Sequence, residues 1–218
     1  MKAVLFDLDG TLLDTLQDIA DSCNAALVRH NFPAHAVSSY RYFIGDGVQV
    51  LISRTVPSNQ HDARTLASVA ATYREEYQRR WNATTAAYPG VADLLDELTR
   101  RGIPMAVLSN KPDEFTRRCV TELLPRWTFS IVLGASGAFP PKPDPASALH
   151  VARAMKVPPE QFAYLGDTST DMQTSVAAGM YPVGVLWGFR TVEELQAAGA
   201  RQLIAHPRDF LQLRSLAQ

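Results

Sequence analysis

A short apolar run at residues 3–6 constrains the fold of this chain more than any other feature. It is too short for a helix, and it ends in Asp7-Leu8-Asp9-Gly10-Thr11. Such a run is typical of a buried strand in a parallel sheet. Side chains alternate along a strand, so Asp7 and Asp9 begin on the same side while Leu8 enters the core. Two close carboxylates repel each other unless a cation or a shared proton lies between them.

The acid pair therefore indicates an oxygen-ligand metal site, for which Mg²⁺ with a phosphate partner is the most suitable occupant. Gly10 permits a positive φ and a close backbone approach to an anion. Thr11 can cap the next segment or bind phosphate. The alternative is a surface Asp-x-Asp-Gly turn that merely closes the strand. The rest of the chain decides between these two interpretations.

The hydrophobic pattern divides the remaining chain into a helical segment and an alternating one. Residues 14–85 contain no strand candidate. From residue 86 onward, predicted strands and helices alternate, which favours a doubly wound parallel α/β sheet covered on both faces. Ligands of such sheets bind beyond the carboxyl ends of the strands, so the helical segment is expected to form a lid there. The principal predicted helices are 14–31, 48–56, 60–82, 91–101, 113–124, 144–155, 169–178, 192–198 and 209–216, and the predicted strands after the first are 104–108, 129–133, 162–165, 182–186 and 202–204.

Composition excludes several classes of protein. The 218 residues are 46% apolar and carry a formal net charge of −1, as in an ordinary globular protein. Without a basic excess, nucleic acid is not an expected partner. No apolar run is long enough to span a bilayer, so a membrane is not expected either. The N-terminus does not resemble a signal peptide, and the two cysteines have no metal or disulfide spacing, which predicts a cytoplasmic protein. The oligomeric state is not indicated.

Two further motifs offer groups suited to phosphate. Ser109 and Asn110 end a buried strand, and their hydroxyl and amide can donate to phosphate oxygens. Ser-Asn is also common in ordinary N-caps and turns. Lys142 lies among four prolines, which stiffen the backbone and lower the entropic cost of holding its ammonium inward. The alternative for Lys142 is a solvated lysine in a stiff surface loop.

The last motif again places acids after an apolar strand. The strand ends at Gly166-Asp167, and Asp171 follows four residues later, one helical turn on. An acid at a strand end and another in the first turn of the next helix can supply a metal ligand and its supporting group. Both acids also suit the N-terminus of a helix because of the helix macrodipole.

The four motifs, in this order, resemble those of the haloacid dehalogenase-like hydrolases, and most closely the phosphoglycolate phosphatase-like branch. The branch resemblance includes Ile44-Gly45-Asp46-Gly47 and Arg54. It implies a Rossmann-like core formed by residues 1–13 and 86–218. Residues 14–85 would form a helical cap of the C1 type, inserted after the first strand.

The resemblance also implies an enzymatic mechanism, namely Mg²⁺-dependent hydrolysis of a phosphomonoester. Asp7 would attack phosphorus and become an aspartyl phosphate. Asp9 would protonate the leaving oxygen and then activate water, and Lys142 would serve both catalysis and phosphate binding. Asp9 argues against carbon–halogen cleavage, because true haloacid dehalogenases lack this second acid.

The resemblance assigns the remaining groups to phosphate or to metal. The further phosphate contacts would be Thr11, Ser109 and Asn110. The metal ligands would be Asp7, Asp9 through its backbone carbonyl, and Asp167, while Asp171 would order the metal's surroundings.

The expected substrate is a small phosphorylated metabolite of the 2-phosphoglycolate type. Gly45 and Arg54 are candidate substrate contacts in the cap, although Arg54 suits a solvated helix face equally well. A phosphomutase of the β-phosphoglucomutase type and a pyrophosphatase remain open as alternatives on the same fold. The non-enzyme alternative is a phospho-accepting, receiver-like regulator, which is normally shorter and has no helical insertion.

Overall fold

The structure is a computed structural model that describes residues 1–213. The helix predicted over 209–216 thus lies partly outside the described residues. Within them, the segment is a 3₁₀-helix, Pro207–Gln212, and not the α-helix expected. Pro207 stands at its first position, and the Leu213 N–H bonds to the carbonyl of Phe210, an i→i−3 contact that tightens the turn.

The described strands and helices alternate in the order that the sequence predicts, with small shifts at their ends. The strands are β1 (Ala3–Phe6), β2 (Leu13–Asp14), β3 (Ala86–Ala87), β4 (Met105–Pro112), β5 (Ile131–Ala135), β6 (Phe162–Gly166), β7 (Tyr181–Val185) and β8 (Gln202–Ile204). The α-helices are α1 (Leu16–Arg29), α2 (Tyr40–Phe43), α3 (Val48–Thr55), α4 (Ala63–Arg80), α5 (Val91–Arg100), α6 (Asp113–Leu123), α7 (Ala146–Met155), α8 (Ser169–Ala177) and α9 (Val192–Ala197).

Six of the strands form one parallel sheet in the order β5-β4-β1-β6-β7-β8. All four residues of β1 are fully buried between β4 and β6. On one face, Leu5 packs with Tyr164 and with Val151 of α7 in a single apolar cluster. The predicted doubly wound α/β sheet is therefore confirmed, and β1 holds a central position because it is apolar on both faces.

The contacts within the chain define two compact units. One comprises residues 1–13 and 87–213 of the described chain, and the other comprises residues 14–86. The second unit is built from α1 to α4, so the predicted helical insertion after the first strand is confirmed. The sequence did not predict β2 and β3, two-residue strands that pair with each other where the chain leaves and re-enters the sheet-bearing unit. Strands this short leave no readable period of alternation.

Asp18 is a buried polar anchor inside the helical unit. Its buried carboxylate accepts hydrogen bonds from the backbone N–H and the hydroxyl of both Thr84 and Thr85, at 2.7–3.0 Å. Burial raises the pKa of Asp18, but these hydrogen bonds outweigh burial and hold it below the usual value. The first helix of the unit is thereby fixed to the segment that returns to the sheet.

No helix in the described part of the chain is long and apolar enough to cross a membrane.

Candidate active site

The groups singled out by the sequence in the sheet-bearing unit follow the ends of neighbouring strands. Asp7 follows β1, Asp167 follows β6, and Ser109 lies in the last part of β4. These strands are parallel neighbours, so their carboxyl ends lie at the same edge of the sheet. All three side chains are buried.

Lys142 is the centre of this cluster. Its ammonium lies 3.0 Å from Oδ1 of Asp7 and 2.6 Å from Oδ1 of Asp171, and it also donates to the Leu108 carbonyl at 3.2 Å. The residue is only 3% exposed, so the solvated-loop alternative for Lys142 is wrong. Burial alone would lower the pKa of Lys142, but Asp171 and Asp7 raise it well above its usual value, and the ammonium stays charged.

Asn110 fixes the loop that carries Lys142. Its side-chain amide donates to the backbone carbonyl of Lys142 at 3.1 Å, and its side-chain oxygen accepts from the Lys142 N–H at 2.9 Å. The phosphate contact predicted for Asn110 stays a prediction, but the geometry assigns this side chain a positioning task. The neighbouring Ser109 hydroxyl oxygen accepts from the Lys111 N–H at 3.2 Å.

Asp167 is held by two hydrogen bonds at 2.9 Å. The Thr11 hydroxyl donates to its Oδ1 and the Phe189 N–H donates to its Oδ2. The hydroxyl proton of Thr11 thus points to Asp167, while the predicted contact of Thr11 with phosphate remains untested. Gly10, at φ +85°, and Gly188 pack so closely on Asp167 that a Cβ at either position would overlap its carboxylate group.

Asp171 forms the inner support of the site. Its Oδ1 accepts from Lys142 and from the Tyr164 hydroxyl, and its Oδ2 accepts from the N–H and hydroxyl of Thr168. Thr168 is the N-cap of α8 and forms a capping box with Asp171. Asp171 is thus an acid in the first turn of α8, as expected, while its predicted role in ordering the surroundings of a metal stays a prediction.

The carboxylates of this cluster suit a divalent cation. Carboxylate oxygens of Asp7, Asp167 and Asp171 lie within 4.8 Å of one another. Burial first, and the charge of Asp171 second, raise the pKa of Asp7 well above its usual value and the pKa of Asp167 to about 7. The oxygen donors and this mutual repulsion both fit a hard cation such as Mg²⁺. Each oxygen of Asp171 already accepts from two protein donors, whereas each oxygen of Asp167 accepts from one. Asp7 and Asp167 are therefore better suited than Asp171 to face the ion.

The ion pair between Asp9 and Lys111 was not predicted from the sequence. The Lys111 ammonium lies 2.8 Å and 3.0 Å from the two carboxylate oxygens of Asp9, with the side chains 5% and 11% exposed, respectively. The sequence does contain a signal for this pair, because Lys111 directly follows Ser109-Asn110 at the end of a buried strand. It went unused because β4 was predicted to end at Leu108, which left Lys111 in a loop.

The two candidate cap residues lie in the helical unit. Arg54 contacts Asp46 at 2.6 Å and donates to the backbone carbonyls of Tyr42 and Phe43 at 3.3 Å and 3.2 Å. It braces the loop that contains Gly45, whose φ is +123°. Neither contact tests a role in substrate binding, so both assignments remain predictions.

A sequence model of the haloacid dehalogenase-like hydrolase family matches residues 4–185, which span the strand-end motifs and the helical insertion. The chain belongs to this family of hydrolases.

Individual relatives agree with this assignment. The phosphoglycolate phosphatase of Pseudomonas putida is 30% identical to the chain, over 96% of the chain and 78% of that protein. The phosphoglycolate phosphatase of Yersinia pseudotuberculosis is 26% identical, over 97% and 92% respectively. A crystal structure described as a predicted phosphoglycolate phosphatase from Haemophilus somnus superposes with a TM-score of 0.91 at 25% identity, covering 100% of this chain and 98% of the other. The predicted resemblance and the prediction of a phosphatase enzyme are confirmed, and the receiver-like alternative is set aside.

Proposed function

We propose that this phosphatase is a Mg²⁺-dependent phosphomonoesterase that works through an aspartyl phosphate on Asp7. The observation that carries the proposal is the ion pair of Asp7 with Lys142, at 3.0 Å, inside a buried group of carboxylates. A nucleophilic carboxylate must be charged, and a fixed ammonium beside it favours that form. The same ammonium can balance the charge of a phosphoryl group held against Asp7.

Each step of the reaction has a candidate group in the sheet-bearing unit. An oxygen of Asp7 attacks phosphorus in line with the ester oxygen, and the P–O bond to the alcohol breaks. Asp9 gives a proton to the departing oxygen and later takes one from the water that hydrolyses the aspartyl phosphate. Ser109, at the end of β4, is suited to donate to a phosphate oxygen.

The metal would be held by Asp7, by Asp167 and by the backbone carbonyl of Asp9. When bound, Mg²⁺ would offset the negative charge on the phosphoryl group and on Asp7. Asp171 would keep Lys142 in place and not contact the ion itself, which is consistent with the two donors on each of its oxygens.

The proposed substrate is a small phosphorylated acid of the 2-phosphoglycolate type, and the proposed setting is the cytoplasm. The names of the Pseudomonas and Yersinia relatives support this substrate class. We further propose that residues 14–85 act as a cap of the C1 type. Within it, Gly45 and Arg54 remain candidate substrate contacts.

The direct test is steady-state hydrolysis by the purified chain, with and without EDTA. We expect Mg²⁺-dependent release of phosphate from 2-phosphoglycolate, and no activity in Asp7→Asn. Asp9→Asn should lose about 10²-fold or more in kcat. Pyrophosphate and β-glucose 1-phosphate are assayed as further substrates. A preference for pyrophosphate would favour the pyrophosphatase, and a preference for β-glucose 1-phosphate would favour the phosphomutase. Activity that is indifferent to EDTA would contradict the metal assignment.

A further inference from the structure

Lys111 is a buried cation that the steps proposed above do not use. Its ammonium contacts both carboxylate oxygens of Asp9, and both side chains are largely withdrawn from solvent. Fixing a long side chain in this way costs conformational entropy, which the contacts with Asp9 offset. The geometry therefore places a positive charge beside the group proposed to serve the leaving oxygen.

The backbone around Lys111 is shaped to aim this side chain. Leu108 pairs with Leu133 and Pro112 pairs with Ala135, so the register of β4 against β5 shifts between them. Within the irregular stretch, the Lys111 N–H bonds to the Ser109 hydroxyl and the Lys111 carbonyl accepts from the Thr116 hydroxyl at 3.1 Å. Irregularities of this kind turn a side chain away from the direction that a regular strand would give it.

The charges of the site separate into two groups. Lys142 contacts Asp7 and Asp171, on the side where phosphorus would be bound. Lys111 contacts Asp9, on the side where the alcohol would leave. In a 2-phosphoglycolate-type substrate, the carboxylate carbon is only two bonds from the ester oxygen. A group beside Asp9 is thus within reach of this carboxylate.

We propose that Lys111 is the specificity-determining residue that binds a carboxylate next to the ester oxygen of the substrate. This inference rests on the proposed function and deepens it. An ammonium has three N–H donors, so Lys111 can bridge Asp9 and the substrate carboxylate or exchange one Asp9 oxygen for it. In a substrate whose alcohol part is uncharged, Lys111 would stay paired with Asp9 and would make no contact with the substrate.

The test compares two substrates that differ in one charge, 2-phosphoglycolate and its isosteric amide, 2-amino-2-oxoethyl phosphate. We expect the wild-type chain to favour the acid. In Lys111→Met, the ratio of kcat/KM for the acid to kcat/KM for the amide should fall about 10- to 100-fold, the scale of a charge-assisted hydrogen bond. Any effect through Asp9 falls on both substrates and cancels in the ratio. Lys111→Arg should keep more of the preference, and Lys2→Met, an exposed lysine, should keep all of it.

A binding measurement keeps the inference testable if Lys111→Met turns over too slowly. Calorimetry in an Asp7→Asn background should show the same selective loss of affinity for the acid after Lys111→Met. Lys111→Gln serves if circular dichroism shows that the Met variant does not fold. A preference that survives these substitutions, or an equal loss on both substrates, would overturn the role of Lys111 alone. A wild-type chain that hydrolyses neither substrate would overturn the proposed function, and one that treats both alike would overturn the substrate class and this inference together.

Discussion

Lys142 shows how one buried charge organises several others. An isolated ammonium at 3% exposure would be strongly unfavourable, yet Lys142 has carboxylates on two sides, Asp7 at 3.0 Å and Asp171 at 2.6 Å. Removing one member of such a group leaves the others buried without compensation, which typically costs about 3–5 kcal/mol. The stability of the site and the proposed chemistry thus depend on the same side chain.

We therefore predict that Lys142→Met impairs both properties. Hydrolysis of a phosphomonoester should fall at least ~10²-fold, because no fixed cation would remain between Asp7 and the phosphoryl group. The free energy of unfolding, measured in urea, should fall by about 3 kcal/mol. Protonation of Asp7 would make this loss smaller. Lys2→Met, an exposed lysine in the same unit, is the matched control and should change neither quantity. Normal turnover in Lys142→Met would exclude Lys142 from the proposed reaction.

At this scale, the sequence predicted which acids and which lysine come together, but not all of their partners. Asp7 and Asp167 each follow the end of a strand, and Lys142 lies in a stiff, proline-rich loop. In a parallel sheet, the carboxyl ends of the strands lie at one edge, so the sequence was sufficient to bring the two acids together. The partners of Asn110 and Thr11 were not predictable, because hydroxyl and amide groups accept several geometries and local backbone detail chooses among them. The Asp9–Lys111 pair requires the irregular end of β4, which no hydrophobic period reveals.

Among the elements, α1 is tied to the segment that returns to the sheet by the buried carboxylate of Asp18, in addition to the contacts that Asn24 and Arg29 make elsewhere in the helical unit. Asp18 has 1% exposure and accepts from two threonines on the returning segment. An asparagine in its place would present an amide NH₂ to donors, with one oxygen fewer to accept. These hydrogen bonds lie entirely within the helical unit, so a substitution of Asp18 tests the stability of that unit.

We expect Asp18→Asn to destabilise the helical unit by about 1.5–3 kcal/mol, the range for hydrogen bonds to a charged group. Asp21→Asn is the control on the same helix, since Asp21 is exposed and accepts a hydrogen bond from Gln17, one turn away on α1. Its effect should stay within about 0.5 kcal/mol. Hydrogen exchange of α1 amides and urea unfolding measure both variants, and equal stability of the two would contradict the anchoring role.

Most element types in the described chain followed from periodicity, whereas their ends did not. The strands in the middle of the sheet are short apolar runs, and β1 was predicted without error because both its faces are buried. β4 runs four residues beyond its predicted end, because polar Ser109, Asn110 and Lys111 conceal a strand that continues into the site. The 3₁₀-helix Pro207–Gln212 is too short for its hydrophobic periodicity to distinguish i→i−3 hydrogen bonds from those of an α-helix.

Considered as a whole, the molecule brings four aspartates and only two lysines together at its candidate site, and this imbalance couples pH, metal and stability. Burial and the charge of Asp171 raise the pKa of Asp167 from 3.8 to about 7. Between about pH 4 and pH 7, the folded chain then holds a proton at Asp167 that the unfolded chain has released. Since the folded state binds more protons in this window, stability falls as the pH rises through it.

This linkage predicts opposite responses with and without metal. In EDTA, the melting temperature should decrease from pH 5 to pH 8. Asp167→Asn should remove the part of that decrease that belongs to Asp167, while the part that belongs to Asp7, whose pKa is also raised, should remain. Added Mg²⁺ should raise the melting temperature more at pH 8 than at pH 5, because metal binding competes with protons for the same carboxylates. Differential scanning fluorimetry across this pH range is sufficient. A stabilisation by Mg²⁺ that is largest at pH 5 would contradict the carboxylate assignment.

The covalent role of Asp7 is the central claim, and chemical trapping tests it most directly. The purified chain is mixed with 2-phosphoglycolate and Mg²⁺, quenched in acid within the first turnover, and reduced with borohydride, which converts an aspartyl phosphate to homoserine. Peptide mass spectrometry should then find homoserine at position 7, and neither at position 9 nor in an unreacted control. Burst-phase turnover with no homoserine at position 7, or with homoserine at another aspartate, would contradict the account.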